Sequence, residues 1–312
     1  MSDPDEKMNV QRLDLNLLLV LDALLTDCNI TQASKRLNLS PSAVSGALGR
    51  LRDFLGDELL TPVGRRMVLT PWGESLRAPV RDCLLQIQAT FVTRPHFDPS
   101  TAQRRFRLMM SDYVATVIGE ALMSRLEKEA PGVSVELLEN GEEPWEIMAR
   151  GEIDFLILPK SFVQPEHPAE VLFEDDYVGV CWKKNRRIGA AATVEQCLSV
   201  GHVVARIGRR RPPTIDAWFF ERFGMQRRVD AVTMTFCNVP HLLVGTERIS
   251  FMHRRLAEAY CRMLPLRMFT PPMAMPRLVE MVQWHRMRDR DPGRQWLLEV
   301  LKSSVAEPLL PH

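Results

Sequence analysis

The segment 37–60, LNLSPSAVSGALGRLRDFLGDELL, constrains the fold of this chain more than any other stretch. A short turn ends at Ser40, a good helix N-cap, and Pro41 follows where a helix tolerates proline, in its first turn. An apolar helix is predicted before it at residues 15–25, and a second short helix at about residues 29–37. Two short helices joined by about three residues predict a helix-turn-helix.

On a helical wheel, the helix after Ser40 has two distinct faces. The apolar face, which must lie in the core, comprises Val44, Leu48, Leu51 and Leu55. The opposite face, called here the small face, comprises Ser42, Ser45, Gly46 and Gly49. A small, nearly uncharged face lets a helix approach base edges in the major groove of DNA, where serine can donate or accept hydrogen bonds. The alternative is that any three-helix unit shows such a pattern and that the glycines are incidental.

Further DNA contacts are predicted at polar and basic residues around the small face. The cationic side chains among them would contact phosphates. They are Thr31, Gln32, Lys35, Arg36, Ser40, Pro41, Arg50 and Arg52.

The stretch 57–74 predicts a wing, because two extended segments meet at the turn 63–65. Arg65 and Arg66 at its tip suit contacts with phosphates or the minor groove. A long amphipathic helix follows, and its apolar row at spacings of four and three comprises Leu76, Val80, Leu84, Ile87 and Phe91. This row predicts a dimerising coiled coil, and packing on its own domain is the alternative.

Beyond about residue 100 the pattern changes to alternating strands and helices. Helical segments lie between the first three of five predicted strands, which indicates parallel strands in an α/β domain. The strands are predicted at 104–112, 133–139, 153–159, 176–182 and 201–207, and the helices at 114–129 and 143–150. A part of this size favours two lobes across a cleft. A closing helix is predicted at 287–301, with Trp296, Leu297 and Val300 facing inward.

The composition excludes several classes of protein. A formal charge of +1 gives no global attraction to nucleic acid, so any basic surface must be local. No apolar run approaches the roughly 20 residues that span a bilayer, and the acidic N-terminus is not a secretion signal, so we expect a cytoplasmic protein without membrane contact. The six cysteines are widely spaced without a C-x-x-C pair, which favours reduced, packed thiols and no metal site.

The chain lacks the motifs of common enzymes. It contains no G-x-S-x-G, H-E-x-x-H or G-x-G-x-x-G sequence and no Walker loop, and His202, His241 and His253 lack metal-ligand spacing. We therefore expect neither catalysis nor a cofactor.

Several stretches carry a resemblance to a known family. They are LDLNLLLVLDALLTDCNITQASKRLNLSPSAVSGALGRLR, FRLMMSDY, RGEIDFLILP, LVGTERISFMHRRLA and GHVVARIGRRRPPTIDAWFFERFGMQRRV. Along its whole length the chain resembles the LysR-type transcriptional regulators, and within them the NodD branch of flavonoid-responsive nodulation regulators. The salicylate- and nitrotoluene-responsive regulators are that branch's nearest relatives.

The resemblance implies an α/β chain with a winged helix-turn-helix, a linker helix and a two-lobed, periplasmic-binding-protein-like effector domain. The implied parts are a tail 1–10, the DNA-binding domain 11–70, the linker helix 71–92, a hinge 93–103, the effector domain 104–305 and a tail 306–312. Lobe I would hold about 104–167 and 270–305, and lobe II about 168–269. The implied assembly is a dimer of dimers that bends double-stranded promoter DNA, acts with RNA polymerase and activates transcription when a small-molecule inducer binds.

Matching the family's motifs places the effector contacts at strand ends along the cleft. The implied contacts are Ser111, Asp112, Tyr113, Leu158, Phe162, Asp176, His202, Arg206, Phe236, Asn238 and Pro240. Apolar walls with few polar groups suit a phenol or a flavonoid. Alternatives are that His202 is a hydrogen-bonded core histidine, that Phe162 is core, and that the arginines 209–211 form a solvated loop or bind an anion or a partner.

One departure from the family concerns the recognition helix. Pro41 and Ser42 stand where the family usually has Gln-Pro, so Ser42 and Ser45 must contribute more to base reading or the operator differs. The chain also starts before the usual position, which leaves Met8 as an alternative initiator.

Two alternative functions accompany the leading interpretation. One is a LysR-type regulator of aromatic-compound degradation, with a salicylate, nitroaromatic or chlorophenol effector. The other is a redox sensor of the same fold that switches through Cys181, Cys197 or Cys237.

Overall fold

The computed structural model describes residues 14–64, 66–92, 96–141, 143–206, 224 and 227–306. The predictions for both tails, Met8, Arg65 and the arginines 209–211, and for the side chain of Phe91, lie outside the described residues. The chain divides into two compact units, residues 1–94 and 95–312, each with its own hydrophobic core.

The N-terminal unit begins with three helices, α1 (Leu15–Asp27), α2 (Ile30–Leu37) and α3 (Pro41–Leu55). Each helix starts at a side-chain N-cap whose oxygen accepts a backbone N–H, namely Asp14, Asn29 and Ser40. Asn38 ends α2 in the left-handed conformation, with φ 53°, and turns the chain toward α3. The predicted helix-turn-helix is confirmed, because local capping signals set both ends of the turn.

A hairpin and a long helix complete this unit. Strands β1 (Leu60–Val63) and β2 (Arg66–Leu69) are antiparallel, and Gly64 at the turn has φ +62°, a conformation that favours glycine. Helix α4 (Pro71–Val92) follows directly. The wing and the linker helix therefore form where the sequence predicts them.

The apolar row of α4 packs within its own unit. Its described members lie in or against the core that α1 and α3 form: Leu76, Val80, Leu84 and Ile87. The Arg81 guanidinium of α4 also pairs with the Asp22 carboxylate of α1 at 2.7 Å. This packing is what the alternative interpretation predicts. Leu76, Leu84 and Ile87 are only partly buried within the unit, and the dimer seam stays a prediction.

The described residues of the second unit form two five-stranded sheets, one in each of two lobes. The first lobe is built from β3 (Arg104–Met110), α5 (Asp112–Glu129), β4 (Val133–Glu139), α6 (Pro144–Ala149), β5 (Phe155–Pro159) and β6 (Ala169–Asp175). The second lobe is built from β7 (Tyr177–Trp182), α7 (Val194–Ser199), β8 (His202–Ala205), β9 (Val229–Thr233), β10 (Ile249–His253), α8 (Arg254–Met263) and β11 (Leu266–Phe269). The chain then returns to the first lobe with β12 (Leu278–Gln283) and α9 (Pro292–Ala306).

The strand orders are β4-β3-β5-β12-β6 in the first lobe and β11-β7-β10-β8-β9 in the second. Strand β3 is parallel to β4 and β5, and β8 is parallel to β9 and β10, whereas β12 is antiparallel to its neighbours. One hydrophobic cluster runs through both lobes. This is the predicted α/β class. Among the described residues, every helix is too short or too polar to serve as a membrane-spanning segment.

The boundary between the lobes lies later in the chain than predicted, because strand β6 belongs to the first sheet. The predicted lobe II starts at about residue 168, but β6 pairs with β12 in the first sheet, with Asp175 opposite Leu278. The chain crosses to the second lobe at Asp176. The partner strand lies about a hundred residues away in sequence, so a local pattern shows that β6 is a strand but not which sheet it joins.

The closing helix starts later than predicted. Residues 286–288 form a short 3-10 turn, and α9 begins at Pro292 because proline fits the first turn of a helix and not its interior. Leu297 and Val300 are buried, and Trp296 packs against the core, as predicted.

Candidate nucleic-acid interface and effector site

The exposed side of α3 is the small face that the helical wheel predicts. Val44 and Leu51 on the opposite side are fully buried. Ser42, Ser45 and Gly46 are exposed and Gly49 is half-buried. A Cβ added at either glycine would meet no atom within 4 Å, so no packing within the described chain requires glycine there. The small face is open to a partner outside the unit.

At the start of α2 and α3, some of the predicted contact residues are exposed and one, Ser40, caps a helix. Thr31, Gln32 and Pro41 are exposed. The Ser40 hydroxyl accepts the Ala43 N–H at 3.1 Å and lies 3.0 Å from the Ser42 hydroxyl, so Ser40 caps the helix. A capped N-terminus of this kind presents backbone dipoles that favour a phosphate nearby.

The predicted cationic contacts are not equivalent. Lys35, Arg50 and Arg66 are exposed, as a phosphate contact requires. Arg36 pairs with Asp27 at 3.4 Å on the exposed side of α2. All four cations lie on the exposed surface of the N-terminal unit, and the ion pair of Arg36 is weak because it is exposed.

Arg52 has a structural role that the sequence did not predict. Its Nε and Nη2 donate to the carbonyl oxygens of Glu58 and Leu60 at 2.8 and 2.9 Å, and it pairs with the Glu58 carboxylate at 3.0 Å. The guanidinium therefore anchors the start of the wing on α3. Its Nε and Nη2 donors are used within the unit, which makes Arg52 less suited to a phosphate than the exposed cations.

In the second unit, the carboxyl ends of three parallel strands lie at one edge of the first sheet. Ser111 follows β3 and caps α5, where its hydroxyl accepts the Val114 N–H at 3.3 Å. Asn140 follows β4 and Lys160 follows β5. Open α/β sheets bind ligands outside this edge, so these groups mark the first-lobe side of the candidate site.

Asp112 joins the two lobes directly. Its carboxylate accepts the backbone N–H groups of Phe236 and Cys237 at 3.2 and 2.7 Å. These two bonds bring the end of β3 to the segment that follows β9, so the carboxyl edges of both sheets meet there. Both oxygens are used, and Asp112 thus acts first as a link between the lobes and not as a free group for an effector.

Tyr113 is a core residue. It is fully buried, donates its hydroxyl proton to Asp175 at 2.6 Å, and stacks on His253 with ring centroids 4.1 Å apart. Burial and then the Asp175 carboxylate raise the pKa of the phenol. The predicted effector contact at Tyr113 is therefore not supported, because every part of the side chain is enclosed.

His202 is a hydrogen-bonded core histidine, which is the alternative to an effector contact. The ring is fully buried and its Nε2 donates to the carbonyl oxygen of Cys197 at 2.8 Å. Leu158 is also buried, and Phe162 packs against the same small cluster. His202 and Leu158 are therefore core residues, and Phe162 is a half-buried residue that packs against the core.

The remaining predicted contacts lie near the junction between the lobes. Asp176 pairs with Arg277 at 2.9 Å. Phe236 is half-buried, Asn238 is exposed, and Pro240 is buried at the start of a 3-10 turn. Arg206 is exposed at the end of β8. Of the predicted effector residues, the structure leaves polar groups accessible at Ser111, Asp176, Arg206 and Asn238, although Asp176 is already paired with Arg277.

Comparison with known proteins gives the family. A family model described as "Bacterial regulatory helix-turn-helix protein, lysR family" matches residues 15–74, and one described as "LysR substrate binding domain" matches residues 99–306. The chain belongs to the LysR family of transcriptional regulators.

The relatives of this LysR-type regulator confirm the resemblance to the NodD branch. Nodulation protein D of Bradyrhizobium sp. (strain ANU 289) is 40% identical over 305 residues, which cover 98% of this chain and 90% of that protein. Nodulation protein D 2 of Rhizobium leguminosarum bv. phaseoli is 42% identical over 294 residues, or 94% and 92% of the two chains. The solved probable transcriptional regulator PA0477 from Pseudomonas aeruginosa is 33% identical, covers 94% of this chain and 98% of its own, and has a TM-score of 0.63.

Asn140 is a candidate contact of this LysR-type regulator that sequence reasoning missed. Its Nδ2 donates to the Ile157 carbonyl oxygen at 3.4 Å, whereas its buried Oδ1 has no hydrogen-bond partner in the described chain. A polar residue directly after a parallel strand is the signal that marks it. An unused acceptor at the sheet edge suits a ligand hydroxyl.

The three cysteines predicted as redox switches in this LysR-type regulator lack the properties of a sensor thiol. Burial raises the pKa of Cys197 to about 11. Burial also raises the pKa of the Cys181 and Cys237 thiols above the ordinary value. A sensor cysteine needs thiolate character and exposure, and these three residues are buried or half-buried.

Proposed function

We propose that this LysR-type regulator activates nodulation genes by binding their promoters and that an aromatic inducer of the flavonoid class controls it. The open small face of α3 is the observation that carries the DNA-binding part, because Gly46 and Gly49 have no packing role in the chain. Relatives named Nodulation protein D, 40–42% identical over nearly the whole chain, support the choice of genes.

In this proposal α3 lies in the major groove, with Ser42 and Ser45 at base edges. Thr31, Gln32 and the cations Lys35, Arg50 and Arg66 contact the phosphate backbone. Promoter binding requires two half-sites, so the acting species is a dimer, assembled as a dimer of dimers. Activation then proceeds through contact with RNA polymerase on bent promoter DNA.

The inducer site in this proposal lies where the carboxyl edges of the two sheets meet. Ser111, Asn140 and Asn238 supply hydrogen bonds, and Phe236 supplies an aromatic wall. A flavonoid offers flat rings with several hydroxyl groups, which match this set.

A second candidate is a regulator of aromatic-compound degradation. The observation that favours it is the exposed Arg206 guanidinium at the end of β8, which suits the carboxylate of salicylate. Both candidates share one site and differ in the charge of the effector.

The effector is tested by thermal denaturation of the full chain with flavonoids, salicylate and chlorophenols. A true effector raises the midpoint in proportion to its occupancy. A flavonoid response that Asn140→Ala weakens and Arg206→Ala leaves unchanged supports the first candidate. A salicylate response that Arg206→Ala removes supports the second. If no aromatic compound shifts the midpoint, the effector proposal is wrong.

The proposed mode of DNA binding is tested by fluorescence anisotropy at several salt concentrations. The probe is a DNA duplex from the region upstream of the genes that the regulator is proposed to activate. Removing one phosphate contact reduces the salt slope by about 1. Arg66→Ala should show this reduction, and Arg105→Ala, an exposed arginine of β3 in the other unit, should not. Equal slopes in wild type and Arg66→Ala would exclude the wing contact.

A further inference from the structure

Three arginines and two aspartates form a partly buried cluster in the first lobe. The arginine cluster comprises Arg104 at the start of β3, Arg288 in the 3-10 turn before α9, Arg294 in the first turn of α9, Asp154 before β5, and Asp291 before α9. It lies at the opposite ends of β3 and β5 from the strand edges of the effector site. The formal charge of these five groups is +1, because two carboxylates face three guanidinium groups.

Two of the arginines each form an ion pair with two hydrogen bonds to one aspartate. Arg104 donates through both Nη atoms to the two oxygens of Asp291 at 2.8 and 2.7 Å. Arg294 donates through Nε and Nη2 to Asp154 Oδ1 at 3.0 and 2.9 Å. Asp154 Oδ2 accepts the Arg107 backbone N–H at 2.8 Å. The hydrogen bonds of the two carboxylates thus go to Arg104, to Arg294 and to backbone N–H groups, and none of them goes to the Arg288 guanidinium.

Spare donors remain in the cluster. Arg294 is only 2% exposed, and its Nη1 has no hydrogen-bond partner in the described chain. The Nη1 atom of Arg288 lies 3.8 Å from Asp154 Oδ1, which is beyond hydrogen-bond distance, and the guanidinium makes no hydrogen bond within the described residues. Buried donors without partners are costly, so this arrangement indicates a missing acceptor.

The electrostatic setting also favours an anion. Helix α9 directs its N-terminal dipole toward this region, where Asp291 accepts the N–H groups of Gly293 and Arg294. Burial lowers the pKa of Arg294 to about 10, as expected for a cation that lacks full compensation. The Arg288 side chain is 21% exposed, so solvent reaches the cluster from that side.

We propose that the arginine cluster is a second small-molecule site, which binds an oxyanion, carboxylate or phosphate, between Arg288 and Nη1 of Arg294. The planar guanidinium groups match the paired oxygens of either anion. Phe97, which precedes β3, packs against Trp296 of α9 with the rings tilted by 40° and their centroids 5.3 Å apart, and Gly293 packs against Phe97 and Arg104. The anion would thus stabilise the junction where residues 96–103 join the first lobe.

The test is titration of the full chain with sodium phosphate or acetate, up to about 10 mM at constant ionic strength set by chloride. Thermal denaturation and the ³¹P line width of phosphate report binding. Arg288→Gln is the informative variant. Arg290→Gln is the matched control, because Arg290 is exposed two residues away and takes no part in the cluster.

We expect the oxyanion to raise the midpoint of wild type and of Arg290→Gln, and Arg288→Gln to need about ten-fold more anion for the same shift. A phosphate response without an acetate response assigns the site to phosphates, and the reverse assigns it to carboxylates. If neither anion shifts the wild-type midpoint or broadens the phosphate signal, or if Arg288→Gln responds like wild type, the proposal is wrong. If Arg288→Gln does not fold, Arg288→Lys serves instead, since lysine keeps the charge and loses the planar donors.

Discussion

Replacing Gly46 or Gly49 with leucine should separate the stability of the N-terminal unit from its affinity for DNA. A Cβ at either position meets no atom within 4 Å, so a side chain can begin there without a clash inside the unit. Leucine is a better helix former than glycine by about 0.8 kcal/mol. We therefore expect each variant to be at least as stable as wild type, with a rise of about 4–8 °C in the midpoint for each kcal/mol gained.

On DNA the same leucine should be strongly unfavourable, because it occupies the space that base edges need beside the small face. We expect at least about 100-fold weaker binding, which corresponds to about 3 kcal/mol. Fluorescence anisotropy with an upstream duplex measures this affinity. Gly119→Leu in α5 is the matched control, since a Cβ there is equally free but lies in the effector unit. Wild-type affinity in both Gly46→Leu and Gly49→Leu would refute the assignment of this face to DNA.

Three further predictions follow from the contacts of single residues. Arg52→Ala should lower the stability of the N-terminal unit by about 1–2 kcal/mol, because two carbonyl oxygens of the wing lose their donor, and an unchanged melting midpoint would contradict this role. Asp112→Ala should speed hydrogen exchange at the amides of Phe236 and Cys237 by about ten-fold or more, and unchanged exchange would mean that other contacts hold the lobes together. Burial raises the pKa of Glu280 from 4.5 to about 8, so between these two pH values the folded state keeps a proton that the unfolded state releases. The free energy of unfolding therefore falls as the pH rises from about 4.5 to 8. Glu280→Gln should therefore flatten the pH dependence of the melting midpoint over that window, and an unaltered profile would exclude the effect.

Local signals were sufficient for the N-terminal unit. Ser40 and Pro41 define the start of α3, and the apolar spacing from Val44 to Leu51 identifies its buried face, because both depend on neighbours within one or two turns. Gly64 likewise marks the turn of the wing through its own backbone preference. The order of strands and helices in the second unit predicts the α/β class for the same reason.

Partners distant in sequence could not be predicted in this way. Nothing near Asp112 in the chain indicates that its carboxylate binds the amides of residues 236 and 237, and Tyr113 meets Asp175 across 62 positions. Strand β6 joins the first sheet through β12, far along the chain.

Short-range periodicity and capping thus specify the helices, the strands and the exposed small face of α3, because the energies involved are set by residues a few positions apart. Whether a polar side chain in the effector unit is free for a ligand depends on which donor or acceptor the folded chain places beside it. That geometry exists only after the two lobes have packed.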